Sequence, residues 1–156
     1  MYQARAVNLP QCSSLRHYSA ARLDADGREA LELAVVRCPF LRGYLEAAEW
    51  AGLDDDGREA LGLSVAPRWG AESIASAADD CADFQAAQDE ALAVYYAQGH
   101  TPEQAGHDFY LSRNRHGAGF FDHGTHPVYR ELQWAARAYS STHEEFDPAS
   151  ETLTTR

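Results

Sequence analysis

The side chains best suited to chemistry are gathered in HDFYLSRNRHGAGFFDHG, residues 107–124. His107 and His116 are of the type that serves as general acid or base near neutral pH. Asp108 and Asp122 can orient an imidazole, and Arg113 can hold an anion with its fork of N–H groups. These five are the candidate catalytic residues, and Asn114 joins Arg113 as a candidate for binding. His123-x-x-His126 could offer two imidazoles to zinc. No third ligand stands at a standard spacing, so neither a metal nor any other cofactor is expected. GxSxG, HExxH, GxGxxG and Walker patterns are absent from the chain, and the reactions they mark are not indicated.

A second grouping is electrostatic. Thirteen basic residues, all arginine, face 24 acidic ones, for a formal net charge of −11. The absence of lysine excludes Schiff-base chemistry and a P-loop lysine, and with abundant Ala, Gly and Asp it fits a GC-rich coding bias. The negative field works against nucleic acid and anionic membranes, so the expected partner is a protein with a basic or neutral surface. Glu72, Asp79, Asp83 and Glu90 fall almost on one line of a helix expected over 72–98, and form the candidate binding face. Asp54, Asp55 and Asp56 could extend its field.

The elements that must position these groups can be read from spacing. CPFLRGYLEAAEWAG reads as a helix, with Pro39 in the first turn, an apolar stripe of Leu41, Tyr44, Leu45 and Ala48, and Gly52 at its end. Ile74, Ala77, Cys81, Phe84, Leu92 and Tyr95 share one face of the 72–98 helix, which Gly99 closes. Thr101-Pro102-Glu103-Gln104 forms a capping box that opens a short turn, stopped by Gly106. His107–Arg113 alternates in the manner of a strand, RNRHG supplies turn residues and AGFFD returns, which together predict a β-hairpin. Pro127 opens a last helix through Val128, Leu132, Ala135, Ala136 and Tyr139. A polar, flexible tail is expected from 141 to 156.

One segment is repeated: LDADGREALELAV at 23–35 returns as LDDDGREALGLSV at 53–65. Each copy reads as a turn leading into a short strand, with helix as the alternative because Arg-Glu-Ala-Leu is also a good helix former. Neither matches a calcium-binding loop, because Arg22 and Leu33, or Gly52 and Leu63, stand where the outer acidic ligands belong. Cys12, Cys38 and Cys81 are odd in number and widely spaced, so no disulfide framework is indicated and a reducing cytoplasm fits. No apolar run approaches the roughly 20 residues of a membrane helix. The chain is expected to be α+β, a long amphipathic helix packed on a short antiparallel hairpin or sheet. Residues 1–36 would form an extension, 37–140 the core domain and 141–156 the tail.

DDCADFQ at 79–85 and PEQAGHDFYLSRNRHGAGFFDHG at 102–124 resemble a family of small uncharacterised proteins of tailed-phage genomes and prophage regions. Their typical run is ADCADF, then PEQAGHDFWLTRNGHGAGFWDRG, followed by a helix. With RGYLEAAEW at 42–50 the resemblance covers roughly residues 41–139, and it implies an origin rather than a reaction. Tyr110 and Phe121 stand where the family often has Trp, and Arg115 where it has a turn Gly. The family's C-terminal hydrophobic strand is not evident in this sequence, and the first 36 residues are an addition. Together these readings lead to an acidic phage-type accessory protein that binds a host or phage macromolecule through a DNA-mimic-like face. The alternative is a hydrolase-like or metal-dependent enzyme with its site on the 107–122 hairpin.

Overall fold

The computed structural model of the chain describes residues 33, 35–53, 55–63 and 67–156. Helix α1 spans Pro39–Gly52, α2 Asp55–Ala60, α3 Ala71–Ala87, α4 Asp89–Ala97, α5 Pro102–Arg113 and α6 Pro127–Arg137. A short 3₁₀ helix, Phe120–His123, lies between α5 and α6. Strands β1 (Arg68–Trp69), β2 (Glu144–Asp147) and β3 (Thr152–Thr155) form one sheet in the order β1-β3-β2. β1 runs parallel to β3, and β2 is antiparallel to it. The fold is α+β, as the sequence leads one to expect.

α1 begins where it should. Pro39 needs no amide partner in the first turn, and the Cys38 sulfur accepts from the Leu41 amide at 3.4 Å. Cys38 is disulfide-bonded, and Cys81 is a free, buried thiol. The spacing of the three cysteines indicates no disulfide framework, yet an odd count still allows the bond at Cys38.

The helix expected over 72–98 is two helices. Gln88 leaves the helical region at φ −111°, ψ 24°, and α4 restarts on Asp89 and Glu90, whose charges favour a helix N-terminus. The capping box at Thr101 is complete, the threonine hydroxyl accepting from the Gln104 amide and the Gln104 side chain from the Thr101 amide. It starts a helix of 12 residues that passes straight through Gly106.

That helix replaces the predicted hairpin. Phe109 and Leu111 are buried, but so are Asp108, Tyr110, Ser112 and Arg113. From Asp108 to Arg113 the helix is buried all round, so this half has no exposed face to give it a 3.6-residue period, and its sequence then passes for alternation. The second copy of the repeat carries helix α2, the alternative to the turn and strand, while the first copy lies almost entirely outside the described residues.

α1 and α5 cross at the centre. A Cβ on Gly106 would fall on the Phe40 carbonyl, and one on Gly43 on the Glu103 carbonyl, so each helix backbone is seated in the other's glycine. Around this crossing Phe84 stacks on Phe109 at 4.2 Å and on Phe120 at 5.9 Å. The C-terminal segment is also structured: β2 and β3 pair over residues 144–155, and Leu153 is fully buried. No helix among the described residues is long and apolar enough to cross a membrane.

Candidate functional site

Among the candidates, Asp108 and His123 converge. α5 carries Asp108 inward, the 3₁₀ helix brings His123 back over it, and His123 Nε2 stands 2.6 Å from Asp108 Oδ2. The same oxygen accepts the Tyr95 hydroxyl at 2.6 Å. Asp108 is buried and the His123 side chain partly open. Burial pushes the Asp108 carboxyl up, and the Tyr95 hydroxyl and His123 draw it only part of the way back. Burial, and then the neighbouring carboxylate, push the Tyr95 hydroxyl up, so it stays a donor.

Two further rings complete the cluster. His100 stacks on Tyr95 at 4.3 Å, lies 4.5 Å from the His123 ring, and its Nε2 is 2.8 Å from the Tyr129 hydroxyl. Desolvation first, and then the His123 charge, lower the His100 pKa below the usual histidine range. His100, Tyr95 and Tyr129 escape sequence reasoning. The one available signal is the position of His100, directly before the capping box that turns the chain back.

The dyad opens on a cleft of about 320 Å³ between α1 and α5, walled by Glu46, Glu103, Gln104, His107, Leu111 and His123. His107 is half-exposed, 3.6 Å from Glu46, and Glu103 is held by Arg42. A carboxylate that fixes one imidazole nitrogen leaves the other, here Nδ1 of His123, to exchange a proton with water or a bound molecule.

The remaining candidates disperse. Arg113 is buried and its guanidinium makes four hydrogen bonds: Nη1 donates to the Tyr44 hydroxyl at 2.9 Å and to Asp80 at 2.8 Å, while Nε and Nη2 donate to the Ser140 carbonyl. Its guanidinium also lies 5.5 Å from the Phe109 and Tyr139 ring centres. It is a core cation held by Asp80. Asn114 caps α5, donating to the Tyr110 carbonyl and accepting from the Thr142 amide. Asp122 is exposed and accepts from the Gly119 amide at 3.2 Å, closing the loop that Gly119 enters at φ 139°. His116 is exposed and stacks on Tyr110, and His126 caps α6 through the Val128 amide. Arg115 holds φ 59°, a left-handed conformation that glycine adopts freely.

Glu72, Asp79 and Asp83 on α3 and Glu90 on α4 are all exposed. Among the described residues, no group of three or more His, Cys, Asp and Glu side chains is arranged to hold a metal ion. Burial pushes the Cys81 thiol far up, which leaves it unreactive. Comparison with protein-family models, with curated proteins and with solved structures finds no match to this chain.

Proposed function

We propose that the protein is a small hydrolase-like enzyme that works by general acid–base catalysis, with His123 as the proton-transferring group. The observation that carries this reading is the 2.6 Å contact between a buried Asp108, itself backed by the Tyr95 hydroxyl, and a His123 still open to the cleft. The carboxylate holds Nε2–H, so Nδ1 is the free basic nitrogen. Water in the cleft would lose its proton to Nδ1 as it attacks, and the leaving group would take that proton back. Asp108 keeps the ring oriented and stabilises the imidazolium between the two steps. His107 and Glu103 on the cleft wall would position the substrate.

A second reading keeps to the acidic face: a phage-type accessory protein docking on a basic partner. The exposure of Glu72, Asp79, Asp83 and Glu90 favours it. One experiment separates the two. Purified protein is assayed with p-nitrophenyl acetate, p-nitrophenyl phosphate and bis-p-nitrophenyl phosphate. The catalytic reading expects turnover of at least one of them, falling about 100-fold or more in His123→Ala and in Asp108→Asn, with the circular dichroism of both variants unchanged. If the unmodified protein is no faster than His123→Ala on all three, the catalytic reading is wrong and the acidic face takes precedence.

A further inference from the structure

Beyond the dyad, a groove of about 840 Å³ runs along α6. Arg130, Trp134 and Arg137 stand at i, i+4 and i+7 and so share one side of that helix, and the 3₁₀ helix adds Phe121. Trp134 is 63% exposed and Phe121 42%, an unusual outlay of aromatic surface in water. The Arg137 guanidinium lies 5.5 Å from the Trp134 ring centre.

The groove also has donors without acceptors. Gln133, only 5% exposed, has its carbonyl oxygen engaged by the Ser112 hydroxyl at 2.6 Å, while its amide nitrogen is buried with no partner. Arg137 Nε is likewise buried and unpartnered. Although the chain carries 24 acidic residues, none of the ion pairs among the described residues uses Arg130 or Arg137. Buried N–H groups left unpaired in a concave, aromatic-walled site are what a bound acceptor would satisfy.

We infer that this groove binds a small anion carrying a flat ring, the class that includes aryl carboxylates and nucleoside monophosphates. Trp134 and Phe121 take the ring, and Arg130, Arg137 and the Gln133 amide take the anionic oxygens. Glu131, which also lines the groove, offsets one of the two arginine charges. The local balance is then one positive charge inside a strongly negative molecule, which selects a compact ligand over a polyanion.

Isothermal titration of the full chain tests this with four probes: benzoate, adenosine 5′-monophosphate, inorganic phosphate and adenosine. Benzoate or the monophosphate should bind with a dissociation constant below about 1 mM, and whichever is tighter identifies the anion. Phosphate without a ring and adenosine without a charge should bind at least about ten-fold more weakly. Arg130→Gln, on an exposed side chain, should weaken binding about ten-fold, as should Arg137→Gln and Trp134→Leu. Trp50→Leu, outside the groove, should not. Asp108→Asn should bind as the unmodified protein does, so the groove can hold or fail apart from the dyad. Absence of saturation by both charged ring probes up to 10-fold that concentration, or binding that the three groove substitutions leave unmoved, overturns the inference.

Discussion

A guanidinium as enclosed as that of Arg113 is tolerable only if every N–H finds an acceptor, because a charge left unpaired in the interior costs far more than a lost neutral hydrogen bond. Burial works against its charge, and Tyr44 and Asp80 more than compensate. Lysine at this position would keep the charge and lose the fork, since one ammonium cannot serve Asp80, Tyr44 and the Ser140 carbonyl in the same plane. Asp80 is about one-third exposed, so its own stranded charge is partly relieved by water. Arg113→Lys is therefore expected to destabilise the fold by about 2–3 kcal/mol, short of the roughly 3–5 kcal/mol for a fully buried pair. The check is a lower urea midpoint at unchanged slope. The sequence makes Arg113 conspicuous as a polar residue among apolar ones, yet its partners come from residues 44, 80 and 140 and no spacing reveals them. Asp108 and His123 are visible in the same incomplete way: each is recognisable as a chemical type, while their pairing depends on a helix and a loop folding one over the other.

At the level of elements, the crossing of α1 and α5 shows how a glycine can matter for what it lacks. Read locally, Gly106 weakens a helix by about 1 kcal/mol relative to alanine and is more natural as a stop. Between two backbones it is the only residue that fits, because a methyl group there would meet the Phe40 carbonyl and the Tyr44 amide, neither of which can rotate away. Gly106→Ala should therefore destabilise, by about 2 kcal/mol or more once the overpacking outweighs the propensity gain. Thermal unfolding followed by circular dichroism would show it, and a variant with a raised melting temperature would mean the helices can part without cost. α1, α6 and the capping box were legible because caps, prolines and one-sided apolar stripes are local signals. The course of α5 beyond Gly106 was not, because its polar positions Asp108, Ser112 and Arg113 are buried against partners on other elements and leave no amphipathic pattern to follow.

For the molecule as a whole, the C-terminal residues close the structure. β3 pairs in parallel with β1, joining Arg68 to Thr152 and Trp69 to Leu153 across more than half of the chain. A pairing that distant leaves no trace in local composition, and a polar segment of Thr, Glu and Ser reads as a tail. Its attachments are nonetheless to the core. The Tyr110 hydroxyl donates to Glu144 at 2.5 Å, Thr142 bonds Asn114, and Ser140 accepts from Arg113. All three ties end on the last turn of α5 and its cap, the same helix that carries Asp108 one turn earlier. Leu153 is the apolar anchor that keeps the sheet in place. Leu153→Ala should then cost about 3 kcal/mol, a drop of roughly 6–12 °C in melting temperature for a domain of this size. A chain ending at Ser141 should lose more, because Glu144, Thr142 and the parallel pairing go with it. If that shortened chain melted with the full-length protein, the strands would be an appendage, and the position of α5, with Asp108 on it, would owe nothing to them.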